Sequence, residues 1–340
     1  MSKVSAEEQG WVCCGIDVSA ATLAVAVGRA DGDGFDERQF ANTAAGHRQL
    51  TAWLLKRGCG VRVSLEATGI YSLDVALALD AADGIAVAVL NPKMVHRFAG
   101  TLRRSKTDRA DAVALAEYSR RMPFVAWRQP SRQALQLRAL SRHIASLTEE
   151  HTRSSNRLHA AEGSSTTPVC VRQDLKRSMA AQQKRIARLR REALELVRQD
   201  ELLANRFRQL IGIPGIGEIS AVQLLSELAA LDPEMTVRQW VAHSGLDPAH
   251  RVSGTSVNKA SRISRQGNRY LRRALYMPAL TSARCDPHMR AFCQILRTRS
   301  KTKLQAILAV VRKLLHAIFG IFKTHSPWDG AKLFPNLIPA

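Results

Sequence analysis

Acidic side chains are the scarce class in this sequence: 29 Asp and Glu stand against 50 Lys and Arg, a formal net charge of +21. An excess of that size is not a neutral background. It favours a polyanionic partner, because each Lys or Arg brought to a phosphate releases a counterion. The shortage is also local: residues 251–340 hold 17 Lys and Arg, with only Asp286 and Asp329 as acids. A solvated charged face normally mixes both signs, so this stretch has the footprint of a nucleic-acid surface. A long apolar run is missing as well. The most apolar late stretch, 304–322, is broken by Arg312, Lys313 and His316, whereas a bilayer helix needs about 20 mostly apolar residues. A buried helix with one basic face is expected there, and no membrane partner. Residues 1–10 are polar and include Glu7 and Glu8, unlike a secretory leader. The cysteines Cys13, Cys14, Cys59, Cys170, Cys285 and Cys293 form no CxxC pair. That speaks against a zinc site and leaves reduced thiols of a cytoplasmic protein.

Hydrophobic residues make up 46% of the 340, enough for sizeable cores in two or three domains. The first part alternates strand and helix signals. Strands are expected over 12–18, 22–27, 37–42, 61–67 and 85–90, with helices over 46–56 and 71–82 and a stop at Asn91-Pro92. Three adjacent strands followed by strand–helix units make an α/β domain with a mixed sheet. From Asp108 onward no strand pattern is evident for a long way. A helix over 110–121 is followed by two long charged helices over 132–161 and 172–197. Leu137, Leu140, Ile144 and Leu147 step by three and four, and so do Leu175, Met179, Ile186, Leu189, Ala193 and Leu196, with Gln182 in the gap. Joined by the weakly structured 163–168, they read as two arms of an antiparallel hairpin or coiled coil, serving as a spacer or as a dimerisation or nucleic-acid surface. The expected division is an α/β domain over 1–125, a helical hairpin over 126–202 and a mainly α-helical domain over 203–340.

Four carboxylates stand out by position. Asp17 ends the first strand in Gly15-Ile16-Asp17-Val18-Ser19, and Glu66 ends a later one in Leu65-Glu66-Ala67-Thr68-Gly69. Asp108 and Asp111, in Lys106-Thr107-Asp108-Arg109-Ala110-Asp111-Ala112, share a helix face by their i,i+3 spacing. Clustered carboxylates repel unless cations neutralise them, and their hard oxygens suit Mg²⁺ or Mn²⁺. Two such ions about 4 Å apart clamp both oxygens of an in-line phosphodiester displacement. Taken singly, each of the four also reads as a turn or helix cap.

Further on, Ile211-Gly212-Ile213-Pro214-Gly215-Ile216-Gly217 precedes an apolar helix over 219–228. Gly215 and Gly217 permit a tight turn and close approach of backbone amides to a DNA phosphate, as in a helix-hairpin-helix; a plain helix–helix turn is the alternative. Gly267-Asn268 can start another helix, with Arg269, Arg272, Arg273 and Tyr276 following and Arg262 and Arg265 preceding. Such guanidiniums hold a phosphate and offset transition-state charge, or else form a backbone-binding stripe without chemistry.

The three acidic motifs, with Asn91-Pro92, Trp240-Val241-Ala242-His243-Ser244-Gly245-Leu246 and the Ser253-Gly254-Thr255-Ser256 to Tyr276 stretch, resemble those of the DEDD insertion-sequence transposases, relatives of the Piv invertase. The resemblance spans roughly 12–328. It implies a RuvC-like N-terminal domain of ribonuclease-H type that binds divalent metal through Asp17, Glu66, Asp108 and Asp111. It also implies a C-terminal transposase domain whose Ser253 is nucleophilic, working beside the acidic site of a partner subunit in a dimer or tetramer. A guide, or bridge, RNA that pairs with target and donor DNA is implied too. Ser256 and Ser261 are neighbouring hydroxyls, so Ser253 is singled out by the resemblance alone.

The activity expected is RNA-guided cleavage and rejoining of DNA at insertion-sequence ends and target. The alternative is a Holliday-junction-type nuclease using the carboxylates alone. Gly15-Ile16-Asp17 also begins actin-like kinases, but a basic helical second half lacks their second nucleotide-binding lobe. A purely DNA-binding protein leaves the carboxylates unexplained.

Overall fold

The computed structural model describes residues 10–29, 34–102, 107–253 and 257–334, with the backbone alone for 250–253 and 257–261. The segment 1–9, Lys106 and Ser256 lie outside the described residues. The chain divides into two compact units, 1–129 and 130–340.

The first unit runs β1 (Val12–Val18), β2 (Thr22–Gly28), β3 (Phe35–Ala41), α1 (Ala44–Leu55), β4 (Val61–Glu66), α2 (Leu73–Asp80), β5 (Ile85–Leu90), α3 (Pro92–Leu102) and α4 (Asp108–Arg121). Its strands form one sheet in the order β3-β2-β1-β4-β5. The β1–β2 and β2–β3 pairs are antiparallel, and the β1–β4 and β4–β5 pairs are parallel. This is the mixed sheet expected from the pattern. Helix α3 is an addition: beyond Asn91-Pro92 the sequence reading had only a stop. Asn91 accepts the Lys93 amide at 3.0 Å and Pro92 takes the first helical position, where a missing N–H costs nothing.

Period-two alternation sorts the sheet's faces. Cys14, Ile16 and Val18 join Leu23, Val25, Val61, Val63 and Leu65 in one core, covered by Leu50 and Leu54 of α1 and Val75 and Leu79 of α2. The opposite face carries the intervening residues, including Gly15, Ala24 and Ala26, and α4 packs there through Ala112 and Val113. The approach is close: a Cβ on Gly15 would stand 2.0 Å from the Ala112 carbonyl oxygen and 2.3 Å from the Ala116 amide nitrogen.

The second unit opens with α5 (Arg132–Glu162) and α6 (Val169–Gln199), each 31 residues and so about 46 Å long. They pack together across the short connection 163–168 as an antiparallel pair. Leu137, Ile144 and Leu147 of α5 meet Ile186, Ala193 and Val197 of α6 in the unit's core, while Leu175 and Met179, nearer the connection, are half-buried. There follow α7 (Glu201–Ile211), α8 (Glu218–Leu228), α9 (Val237–Ser244), β6 (Pro248–Ser253), β7 (Val257–Ile263), α10 (Arg269–Cys285), α11 (Pro287–Thr298), α12 (Lys303–Thr324) and α13 (Gly330–Leu333). By length and composition α12 passes as a bilayer helix. Its Val310, Val311, Leu314, Leu315 and Ile318 nevertheless form part of the unit's core, against α10 and α11.

The antiparallel β6–β7 pair is an addition to the mainly helical second half expected from the sequence. Its residues, PAHRVS and VNKASRI, carry too few apolar side chains to display a period of two. Backbone pairing, which the pattern of side chains does not encode, makes the ribbon.

Candidate functional site

Strands β1 and β4 run parallel with Ile16 beside Leu65. One residue further along the same register, Asp17 and Glu66 stand on neighbouring strands about 4.8 Å apart. Both alternate away from the core of Ile16 and Leu65, toward the face that α4 crosses. There Asp17, Glu66 and Asp111 line one cleft of about 760 Å³, with Lys93 and His96 of α3 and Glu117 and Arg121 of α4. Three of the four motif carboxylates are thus brought together. Asp108, the first residue of α4, is exposed and is not among the lining residues. The start of α4 is set by Thr107, whose Oγ1 accepts the Ala110 amide at 3.1 Å. Asp108 and Asp111 both lie in its first turn, where the helix dipole favours negative charge.

Lys93, His96 and Glu117 are cleft residues that the sequence reading missed. Glu117 bonds Arg120 at 2.8 Å and Arg121 at 2.7 Å. Burial raises its pKa, but the two guanidiniums outweigh burial and hold the carboxyl below its ordinary value. Carboxylate oxygens are the donors a hard divalent cation takes, so the donor chemistry of the cleft fits Mg²⁺ or Mn²⁺. Among the described residues, no three of His, Cys, Asp or Glu are gathered tightly enough to form a metal-holding group.

In the second unit Ser253 pairs with Val257 at one end of the β6–β7 ribbon, and Ala249 pairs with Arg262 at the other. Four residues of strand separate the ends by about 13 Å. Arg262 and Arg265, both exposed, therefore belong to the base of the ribbon and not to the Ser253 end. Nearer Ser253, Arg251 and Lys259 are cross-strand partners, basic positions that the sequence reading left out.

The arginines of α10 also separate. Arg269 and Arg273 face outward, the first over the Tyr270 ring at 4.9 Å and the second paired with Glu149 of α5. Arg272 instead turns inward and donates to the Ser244 carbonyl at 2.7 Å. The two turn glycines differ as well. Gly215 has φ +96° and its turn packs on α10, where Ser282 Oγ donates to the Pro214 carbonyl at 2.5 Å. Gly217 caps α8 with open space where a Cβ would stand.

A buried polar cluster ties these pieces together. Glu227 of α8, 3% exposed, accepts two bonds of 2.8 Å from Arg142 of α5 and one of 2.6 Å from the Asn268 side-chain amide. Asn268 Oδ1 in turn accepts the amides of Tyr270 and Leu271 at 2.9 and 3.0 Å, starting α10. Its own amide donates to the His243 carbonyl at 2.6 Å. Gly267, at φ +112°, lets the chain pass: a Cβ there would stand 2.1 Å from that carbonyl oxygen. Burial lowers the His243 pKa, opposed in part by Glu227.

Comparison with known proteins covers both units. A family model described as a transposase, of the DEDD IS110 type, matches residues 14–161. A second, described as "Transposase IS116/IS110/IS902 family", matches residues 208–294. The pilin gene-inverting protein of Moraxella bovis is 28% identical over 299 residues, 85% of this chain and 89% of that protein. An uncharacterized 43.6 kDa protein of insertion element IS110 from Streptomyces coelicolor is 31% identical over 114 residues, 34% of this chain and 28% of that protein. An uncharacterized 42 kDa protein of insertion element IS900 from Mycobacterium paratuberculosis is 29% identical over 160 residues, 43% of this chain and 39% of that protein. The first match takes in Asp17, Glu66, Asp108 and Asp111 and the second takes in Ser253. With both units matched in chain order, this chain belongs to the IS110-type transposases.

Proposed function

We propose that this transposase cleaves and rejoins DNA at insertion-sequence ends and target, guided by a bridge RNA, with Ser253 as its nucleophile and a divalent cation, Mg²⁺ or Mn²⁺, at its carboxylates. The observation that carries the reading is the adjacency of Asp17 and Glu66 on parallel strands, facing Asp111 across one cleft. Asp17, Glu66 and Asp111 would hold the cation, with Asp108 as the fourth ligand at the start of α4. When bound, the cation neutralises phosphate charge and lowers the pKa of a coordinated hydroxyl.

The chain's own residues do the rest. The Ser253 hydroxyl gives up its proton as its oxygen bonds the scissile phosphorus. The phosphorus–oxygen bond to the leaving strand breaks, and that oxygen takes a proton. The phosphoserine ester conserves the bond energy, so a strand hydroxyl can displace the serine and reseal DNA without ATP. The backbone register that makes Arg251 and Lys259 cross-strand partners puts two basic positions near Ser253, which supports a phosphate lying against this end of the ribbon. In this reading Arg262, Arg265, Arg269 and Arg273 would contact the DNA backbone and Gly217 would allow its close approach at α8, while Arg272, bonded to the Ser244 carbonyl, and Gly215 would support them from inside.

The strand order, antiparallel then parallel, supports a ribonuclease-H-like, RuvC-type first domain. The α5–α6 pair supports a coiled-coil hairpin that joins subunits of a dimer or tetramer, and with it the division into 1–125, 126–202 and 203–340. The Moraxella bovis relative inverts a pilin gene by name, and inversion requires rejoining as well as cutting. We place the reaction in the cytoplasm, on DNA.

The test uses labelled DNA with full-length protein and Mg²⁺, followed by denaturation. The wild type should carry a DNA adduct mapping to Ser253. Ser253→Ala should carry none, and Asp17→Asn should lose cleavage. Cut, unrejoined strands without any adduct would mean a metal-dependent nuclease acting on junctions. A discrete RNA should co-purify from cells; a heterogeneous background only would refute guidance by RNA.

A further inference from the structure

A second cleft, of about 1020 Å³, opens at the base of the β6–β7 ribbon; Arg262 and Arg265, read above as backbone contacts, line it, and the rest of its lining has no part in the reading above. Leu304 and Leu308 of α12 line it together with Arg262, Arg265, Arg312 and Gln305. No carboxylate is among its described lining residues. Leu304, Leu308 and Arg312 recur every four residues, so they share one outward face of α12. Leu304 is left 55% exposed there. Arg265 sits at φ +55°, a left-handed conformation rare outside glycine, held by its amide's bond to the Gly245 carbonyl at 3.1 Å. Strain at a non-glycine residue lining a cleft is expected where its side chain has a task.

Three cations without an acid among them attract a polyanion, and the exposed Leu304 beside Leu308 calls for a flat apolar group to cover it. A nucleotide with an unpaired base meets both demands, whereas a duplex hides its base faces. We propose that this cleft receives an unpaired nucleotide of the DNA strand on which Ser253 acts. The base lies on Leu304 and Leu308 against guanidinium planes, the phosphates lie on the arginines, and the Gln305 side-chain NH₂, its Oε1 held by the Thr302 amide at 2.9 Å, offers donors to the base edge. Ser253 is about 13 Å along the ribbon, the span of about four stacked nucleotides. A strand anchored at the base therefore runs toward the serine. This inference rests on the reading of Ser253 as acting on DNA.

The test is fluorescence anisotropy with full-length protein in EDTA, using one sequence as labelled single-stranded DNA, as duplex and as single-stranded RNA. Ala309→Trp fills the cleft without changing charge. It should weaken single-stranded DNA about tenfold, the scale of one lost base contact, and leave the duplex within about twofold. Leu304→Ala, at an exposed position, should weaken the single strand several-fold and serves if the tryptophan variant does not fold. Arg312→Ala should lower the salt slope by about one. Equal losses on single strand and duplex, or wild-type affinity in both cleft variants, would overturn the proposal. A larger loss on RNA than on DNA would overturn the DNA assignment. Because no strand is cut in EDTA, failure of the Ser253 chemistry leaves these affinities unchanged and is read separately from the adduct.

Discussion

Gly15→Ala is the sharpest perturbation of the carboxylate cleft. The added methyl would stand 2.0 Å from the Ala112 carbonyl oxygen, 2.3 Å from the Ala116 amide nitrogen and 2.7 Å from the Leu115 Cβ, where ordinary contact begins at 3.4 Å. The first two are backbone atoms, so no rotamer change relieves them and α4 must retreat by more than about 1 Å. Overpacking of this kind costs about 1–3 kcal/mol, or a fall in Tm of about 4 °C per kcal/mol for a unit of this size. The retreat carries Asp111 away from Asp17 and Glu66, and a misplacement of about 1 Å in a catalytic array costs about 100-fold in rate. The expected result is therefore a modest loss of stability with a disproportionate loss of DNA cleavage. Thermal unfolding and the rate of adduct formation measure the two. Gly28→Ala is the control, because a Cβ there meets only the Cys13 carbonyl oxygen at 3.6 Å, and both quantities should stay near wild type. If Gly15→Ala keeps its Tm within about 1 °C and cleaves at the normal rate, the close approach of α4 does not position the site.

Arg142→Ala should cost about 3 kcal/mol in denaturant unfolding, the low end for a broken buried pair because the Arg142 side chain is 39% exposed while that of Glu227 is 2% exposed; a loss below about 1 kcal/mol would show the Glu227 cluster to be dispensable. Stability should fall on acidification from pH 7 toward 5. Burial lowers the pKa of His47, His243 and His316 in the folded state, so the unfolded chain binds protons first and the histidines' contribution, full above about pH 6.5, is lost below it. His243→Gln should flatten that slope, and an unchanged slope would rule His243 out as a contributor. Affinity for DNA should fall linearly in log–log salt plots by about 0.9 per phosphate neutralised; a flat response would refute the electrostatic role of the basic surface.

Parts of the site were legible in one dimension. Asp17 and Glu66 each end an apolar strand, so two short patterns allowed them to lie side by side, and the β1–β4 register made them neighbours. The choice between Asp108 and Asp111 did not follow. An i,i+3 pair shares a helix face, but which member reaches the sheet depends on where α4 crosses, and Gly15 with Ala24 and Ala26 sets that crossing. The arginines of α10 show the same limit. Arg269, Arg272 and Arg273 are equally basic as letters, yet the Ser244 carbonyl takes Arg272 inward. Glu227 drew no notice in the sequence because its partners, Arg142 and Asn268, lie 85 and 41 residues away.

The sequence by itself determined the mixed sheet, the two long helices, the carboxylates at strand ends and the basic bias of the last ninety residues. These depend on periodicity and composition, which are local properties of the chain. Tertiary structure alone decided that three carboxylates line one cleft, that Ser253 and Arg262 occupy opposite ends of a ribbon, and that Leu304 and Arg312 open beside it. Those outcomes depend on the distances between elements, and packing at Gly15, backbone pairing in a polar ribbon and a buried carboxylate set those distances without leaving a periodic trace.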